Sequence, residues 1–193
     1  MEKINHDKTA LVVIDLQKGI AAMDRHLAPR SAQEVIKNAS MLADACRGNN
    51  IPVFLVHVFP TKETALSPEC DAPMFSSNRG NQEIPKGWAD FVHEMGPKKG
   101  DIVITKHQWG AFYGTELEMQ LRRRKIDTII LCGISTNIGV ESTARFAYEY
   151  GYNQIFAEDA MAAMSAEEHK MSVEAIFKRI GKVRNTKDII SAM

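Results

Sequence analysis

The sequence has few cysteines, no excess of charge and no long apolar run. Cys46, Cys70 and Cys132 are an odd number without a CxxC pair, which argues against a disulfide framework or a zinc knuckle. The 24 basic and 24 acidic side chains cancel, so nothing indicates a nucleic acid or an anionic membrane as partner. No apolar run approaches the roughly 20 residues that cross a bilayer. Because residues 1–6 are polar, no signal peptide is expected, and we predict a cytoplasmic protein.

Strand-like and helix-like segments alternate along the chain. The 193 residues, 45% of them hydrophobic, are enough to bury a core, and we expect one domain over residues 1–193. Apolar runs predict strands at 10–14, 52–58, 101–105, 128–132, 154–157 and 182–184. Helical patterns lie at 31–48, 115–125, 137–150 and 166–180. This alternation predicts an α/β fold with a parallel sheet covered on both faces.

Residues 59–100 show no clear periodicity and contain several prolines and glycines. A segment this long inside a compact domain is typical of a binding loop. Met74, Phe75, Trp88 and Phe91 are apolar side chains that would anchor it. The alternative is a disordered linker.

Polar groups stand where three predicted strands end. Asp15 follows the first strand, Lys106 follows the third, and a polar turn at 133–139 follows the fourth. A partly desolvated carboxylate is suited to proton transfer, and backbone N–H groups at a helix start are suited to binding negative charge. Each has an ordinary alternative: a capping aspartate, a solvated lysine or a simple strand-to-helix turn. Their order along the chain is far more specific than any one of them.

The sequence resembles the isochorismatase-like cysteine hydrolases over nearly its whole length. The resemblance rests on residues 12–17, on Lys106 with 110–115, and on 133–137, and residues 143–144 and 157–160 agree as well. It implies a three-layer αβα domain with a six-stranded parallel sheet in the order 3-2-1-4-5-6. It also implies an active site at the carboxyl ends of the strands, near the point where the strand order reverses.

The resemblance also implies roles for particular residues. Asp15 matches the acid/base of the family and Lys106 the lysine that holds and polarises it. Gly139 stands where the cysteine hydrolases carry their nucleophile, so no covalent thioester can form at this position. The family further implies a cis peptide bond between Ile134 and Ser135.

Other residues are candidates for binding the substrate, which we expect to be a small molecule. Those that the resemblance brings near the site are Gln17, His57, Trp109, Phe112, Tyr113, Ser135 and Thr136. Cys132 is predicted to be a core residue in a strand, whereas Cys70 and Arg79 of the long loop are open candidates for the pocket. No Asp-x-His motif follows the second strand near His57, where metal-binding amidases of the family carry theirs, so we expect neither a metal nor another cofactor.

The true isochorismatases are similar to this pattern in having glycine at the nucleophile position. They hydrolyse a vinyl ether, which requires a carboxylic acid to protonate the enol carbon and needs no nucleophilic side chain. Vinyl ether hydrolysis by Asp15 and Lys106 is therefore the leading hypothesis. The alternatives are a non-catalytic small-molecule binding or regulatory protein and a C–N amidase that uses water in place of a thiolate.

Substrate identity does not transfer from the isochorismatases. Those enzymes place a glutamine after the second strand, where residues 54–59 of this chain contain none, and a bulky aromatic where this chain has Ser135. The resemblance also implies a homo-oligomer, a dimer or a tetramer. Phe146, Tyr148, Tyr150 and Tyr152 would suit its interface, or they cap the core.

Overall fold

A six-stranded parallel sheet forms the centre of the protein. The structure, a computed structural model, describes residues 2–23, 26–59, 70–71 and 84–193. The strands are β1 Thr9–Ile14, β2 Val53–Val58, β3 Ile102–Lys106, β4 Thr128–Ile134, β5 Asn153–Ala162 and β6 Lys182–Arg184. Their order across the sheet is β3-β2-β1-β4-β5-β6, which confirms the predicted order 3-2-1-4-5-6. The order reverses between β1 and β4, where ligands of such sheets bind.

Helices cover both faces of this sheet. They are α1 Lys18–Ala21, α2 Ala32–Gly48, α3 Leu117–Arg123, α4 Glu141–Glu149, α5 Ala166–Met171, α6 Lys178–Ile180 and α7 Thr186–Ser191. Two π-helical turns adjoin them, Thr136–Val140 before α4 and Ser172–Phe177 between α5 and α6. The predicted start of α2 is confirmed by a complete capping box, in which Ser31 and Glu34 satisfy each other's backbone N–H groups.

Strand β1 divides the apolar core into two layers because its side chains alternate between the faces. Leu11 and Val13 pack in the layer that contains α2, and Val12 and Ile14 pack in the layer that contains α3 and α4. All six residues of the strand are buried. This explains why the sequence here is a continuous apolar run rather than an alternating one.

Strand β5 is longer than predicted because it contains a bulge. Leu131 pairs with Phe156 and Gly133 pairs with Met161, so two steps along β4 match five along β5. The extra residues include Glu158 and Asp159, whose polarity hid the continuation of the strand in the sequence. Asp159 Oδ1 accepts hydrogen bonds from the backbone N–H and the hydroxyl of Thr186 at the start of α7. The sequence pattern had not predicted that helix.

The described end of the long loop is anchored by two of the expected aromatic residues. Trp88 lies against Gly19 so closely that a Cβ at Gly19 would come within 2.2 Å of the indole ring. The Phe91 ring stacks on His57 at 5.0 Å between centroids. Met74 and Phe75 lie outside the described residues, so their part in anchoring the loop stays a prediction.

The remaining sequence predictions concern cysteines and aromatics. Cys46 and Cys132 are buried, and burial raises the pKa of Cys46 to about 12 and that of Cys132 further. Tyr152 is buried in the core, whereas Phe146, Tyr148 and Tyr150 are exposed. No helix within the described ranges has the length and apolar character needed to cross a membrane.

We predict that Gly133→Ala destabilises the protein by at least about 3 kcal/mol. Gly133 has φ +126°, and an added Cβ would lie 2.0 Å from the carbonyl oxygen of Ile14, a backbone atom that cannot move aside cheaply. As a control, a Cβ at Gly48 meets nothing within 4 Å, so Gly48→Ala should stabilise α2 by up to about 1 kcal/mol. Urea unfolding measures both changes. Equal stability of Gly133→Ala and the parent protein would contradict the close strand approach.

Candidate active site

Asp15 leaves β1 in an unusual backbone conformation. Its φ is +56°, a region that few residues other than glycine adopt, although aspartate tolerates it better than most. The backbone N–H still donates to the Val56 carbonyl at 2.9 Å, so the strand ends only at this residue. The side chain is buried, with 4% of the residue exposed. Such a conformation persists where the surroundings determine it, and it is common at functional sites.

Lys106 reaches the Asp15 carboxylate from the end of β3. Its Nζ lies 2.8 Å from Asp15 Oδ2 and donates to the Trp109 carbonyl at 2.6 Å. Lys106 is 1% exposed, so this ion pair is desolvated. Two of the three ammonium protons have acceptors among the described residues. Asp15 Oδ1, also buried, has no hydrogen-bond partner in that part of the chain.

The two oxygens of Asp15 are therefore different. Burial raises the pKa of Asp15 above its ordinary value, and the positive charge of Lys106 opposes this. Because Oδ2 already accepts from Lys106, a proton taken up by the carboxyl group resides on Oδ1. A carboxyl group with one oxygen held and the other without a partner has the geometry that general acid catalysis requires.

The turn after β4 brings a glycine against this pair. The Ile134–Ser135 peptide bond is cis, and the Ser135 carbonyl accepts from the N–H groups of Ile138 and Val140. A Cβ built on Gly139 would lie 3.0 Å from Asp15 Oδ2 and 2.9 Å from Cγ2 of Ile14. The backbone of Gly139 thus occupies the space beside the acid, and a side chain at this position would displace one of its neighbours.

Two threonines, both buried, fix the turn. Thr143 donates to the Gly139 carbonyl at 2.7 Å and accepts from the backbone N–H of Ala111 at 3.0 Å. The Thr136 hydroxyl is 2.9 Å from Nδ1 of His169. The sequence motif at 143–144 contained Thr143 without indicating its role. His169 carried no signal, since a lone histidine in a helical pattern is most often a surface residue.

The predicted binding residues fall into two groups. His57, Trp109, Tyr113 and Ser135 retain exposed surface, with Tyr113 the most exposed at 63%. His57 is held in place, because its Nδ1 lies 2.7 Å from the Ala89 carbonyl and its Nε2 2.8 Å from the Thr105 hydroxyl.

The other three predicted binding residues lie in the interior. Gln17 is fully buried, and its amide binds both the N–H and the carbonyl of Val58. It therefore ties the end of β2 to the segment that follows β1. Phe112 packs against Tyr150 and Tyr152, and Thr136 is also buried. Packing and hydrogen bonds hold these three side chains in the interior, and their part in binding the substrate stays a prediction. Cys70 is exposed, and Arg79 lies outside the described residues.

Two further features concern where a ligand binds. In the ranges that the structure describes, no group of three or more His, Cys, Asp or Glu side chains is placed to hold a metal ion. A cleft of about 600 Å³ opens at the amino ends of β1, β4, β5 and β6, and its lining contains none of the predicted site residues. Parallel sheets bind ligands at the carboxyl ends of their strands, so we assign the candidate site to the Asp15 end.

Fold and site together define the class of the protein: a three-layer α/β protein with a buried acid–lysine pair where the strand order reverses. The Isochorismatase domain family model matches residues 9–188. The chain belongs to the isochorismatase family, and it is a hydrolase of that family.

Relatives with high identity support this assignment over the whole chain. An uncharacterized isochorismatase family protein of Bacillus subtilis, YwoC, is 50% identical, with 97% of this chain and 95% of the relative covered. YecD of Escherichia coli O157:H7, described in the same words, is 48% identical over all of both chains. The solved structure of an isochorismatase family protein from Burkholderia thailandensis has a TM-score of 0.90 at 39% identity, covering 100% of this chain and 98% of that one.

We predict that removing one partner of the buried pair costs more stability than removing both. Asp15→Asn leaves the Lys106 ammonium without a counter-charge, so we expect a loss of about 3 kcal/mol or more. The double variant Asp15→Asn/Lys106→Met should recover much of this loss, because it buries no charge. Denaturant unfolding of the two variants measures the difference, and a double variant less stable than Asp15→Asn would refute the argument.

We predict that the stability of Lys106→Met depends on pH because the pKa of Asp15 is raised. Without the ammonium the pKa of Asp15 rises further, so the variant is nearest to the parent in stability at about pH 5 and loses stability as pH rises through that pKa. The exposed pair Lys18–Asp90, at 3.1 Å, provides the control. Lys18→Met should change stability by less than about 1 kcal/mol at every pH. An equal effect of Lys106→Met at about pH 5 and about pH 8 would contradict the prediction.

Proposed function

We propose that the protein hydrolyses a small vinyl ether with Asp15 as general acid, Lys106 as its orienting partner, and Gly139 in place of the nucleophilic cysteine of the family. One observation carries the proposal. The position that would hold a thiol is glycine, and a Cβ there would lie 3.0 Å from the acid oxygen Oδ2. The site therefore retains the acid and the lysine without a nucleophile between them.

The reaction follows from the asymmetry of the carboxyl group. Asp15 Oδ1 gives its proton to the terminal carbon of the enol ether, and the C–O carbon becomes an oxocarbenium ion. The carboxylate so formed is stabilised by Lys106. Water adds to the cation and returns a proton to Asp15. The resulting hemiketal then releases the alcohol and leaves a carbonyl group, so the acid is regenerated in each cycle.

The two buried cysteines do not offer a substitute nucleophile. Cys132 and Cys46 are buried, and burial raises the pKa of both thiols. A reactive cysteine needs a lowered pKa and an accessible sulfur. These thiols have neither property, which supports general-acid chemistry over covalent catalysis.

The buried pair also supports catalysis over simple binding. Desolvating an aspartate and a lysine costs several kcal/mol per ion before their attraction is counted. Asp15 additionally has a strained backbone and an oxygen without a partner in the described structure. A binding protein has no use for these features together, whereas an acid catalyst requires a carboxyl group with a raised pKa and a free oxygen.

We predict that Asp15→Asn lowers kcat for a vinyl ether substrate by at least about 100-fold. The substrate would come from a panel of carboxylated vinyl ethers, amides and esters, with Lys18→Met as a control that keeps full activity. In the parent protein, kcat should fall as pH rises through the raised pKa of Asp15, because the acid must be protonated. Full turnover by Asp15→Asn would exclude the acid mechanism.

The same panel separates the two alternatives. Amide cleavage without vinyl ether cleavage would indicate a thiol-independent amidase. Thermal stabilisation by panel compounds without turnover of any of them would indicate a binding protein.

We predict that Gly139→Cys does not create an amidase. The new Cβ would meet Ile14 Cγ2 and Asp15 Oδ2 at 3.0 Å or less, so the acid must move and vinyl ether turnover should fall by about tenfold or more. The pKa of the new thiol, read from its rate of alkylation against pH, tests the site directly. A value well below 8.5 together with amide hydrolysis would show that the site accepts the cysteine mechanism and that its geometry is less restrictive than proposed.

We further propose that the protein acts as a homo-oligomer on a small-molecule substrate. Phe146 and Tyr148 on α4 are exposed, as is Tyr150, which directly follows that helix. Trp109 and Tyr113 expose aromatic surface as well. Exposed aromatic clusters are typical of protein interfaces.

A further inference from the structure

A chain of four side chains runs from the start of α2 to the turn that carries Gly139. Arg30 forms a bidentate salt bridge with Glu158, with Nη1 2.9 Å from Oε1 and Nη2 3.0 Å from Oε2. Glu158 Oε1 is 3.0 Å from His169 Nε2, and His169 Nδ1 is 2.9 Å from the Thr136 hydroxyl. The chain thus links three other segments, through His169, to Thr136 at the first residue of the turn.

The direction of each hydrogen bond in this chain is determined. The His169 and Arg30 hydrogen bonds lower the pKa of Glu158 to about 2, so Glu158 is a carboxylate at any pH near neutrality and only accepts. His169 Nε2 must therefore carry a proton and donate. In the neutral ring Nδ1 is then the acceptor, and the Thr136 hydroxyl donates to it.

This arrangement holds the start of the turn. Thr136 begins the π-helical turn, and Gly139 lies three residues later beside Asp15 Oδ2. His169 is 4% exposed and Thr136 is fully buried, so water cannot replace the bond between them. A loosened turn would let Gly139 withdraw from the carboxyl group and admit solvent.

We propose that His169 is a positioning residue: Glu158 and Arg30 lock its tautomer, and its Nδ1 holds Thr136 so that the turn keeps Gly139 against Asp15. The proposal rests on the proposed function, because it assigns His169 to the same site. In this proposal Nδ1 makes the hydrogen bond that holds Thr136, and Nε2 binds Glu158 and thereby fixes the orientation and tautomer of the ring.

Two substitutions at one position separate the two nitrogens. Asparagine places an acceptor oxygen near the position of Nδ1, whereas glutamine places an amide near Nε2 and nothing at Nδ1. We expect His169→Asn to stay within about threefold of the parent in kcat and His169→Gln to lose about tenfold or more, on the scale of one orienting hydrogen bond. KM should change little in either variant. His93, exposed on a short 3₁₀ helix, gives the matched control, and neither His93→Asn nor His93→Gln should alter kcat.

Coupling to Thr136 is tested by a double-mutant cycle. Thr136→Val removes the hydroxyl and keeps the shape, so it should lower kcat by the same factor as His169→Gln. The double variant should be no slower than either single one, because both remove the same bond. The proposal would be overturned if the losses in kcat of Thr136→Val and His169→Gln multiplied in the double variant. It would also be overturned if His169→Asn and His169→Gln lost kcat equally, since His169 would then be a purely structural residue.

Measurements without substrate keep this test separate from the proposed function. Nitrogen-15 spectra of the parent should show His169 protonated at Nε2 and unprotonated at Nδ1. Hydrogen exchange of the Ile138 and Val140 amides, which donate to Ser135, should be faster in His169→Gln and unchanged in His169→Asn. If no vinyl ether is turned over while both results hold, the proposed reaction fails and the positioning role stands. A proton on Nδ1 in the neutral ring would disprove the positioning role whatever the activity.

Discussion

The site depends on the burial of one aspartate beside one lysine. Asp15 and Lys106 are 2.8 Å apart and nearly inaccessible, and removing two charges from water is costly unless their geometry is well determined. Both come from strand ends, so the register of β1 against β2 and of β2 against β3 fixes where the two side chains begin. The sheet therefore supplies the accuracy that the ion pair requires.

The backbone around the pair is as specialised as the side chains. Gly133 allows a close approach to the Ile14 carbonyl that a Cβ would prevent, and Gly139 allows an approach to the acid that a Cβ would disturb. Thr143 and Thr136 then hold the turn that contains Gly139. Among the described residues, the candidate site is thus shaped by two glycines and by hydrogen bonds that hold the backbone of the turn, and its central charged groups are Asp15 and Lys106.

The order of the strands and the meeting of Asp15 with Lys106 could be predicted through the resemblance to the isochorismatase-like family. Apolar runs mark where parallel strands end, and the carboxyl ends of such strands meet at one edge. The directions of Gln17 and Phe112 could not be predicted, because both are compatible with a pocket wall and with the core, and packing decides between them. His169 acts across 33 residues to Thr136 and 11 residues to Glu158. Glu158 lies in the bulge of β5, which no local sequence pattern shows.

Because the two oxygens of Asp15 differ in their partners, the proposed proton transfer has a defined direction. Oδ2 is held by Lys106, so in the proposed reaction the proton leaves from Oδ1, along the direction in which that oxygen would face the substrate. An enol carbon bound in one orientation would receive its new hydrogen on a single face. A terminal carbon that carries two different substituents would thus acquire a defined handedness from a lysine that never touches it.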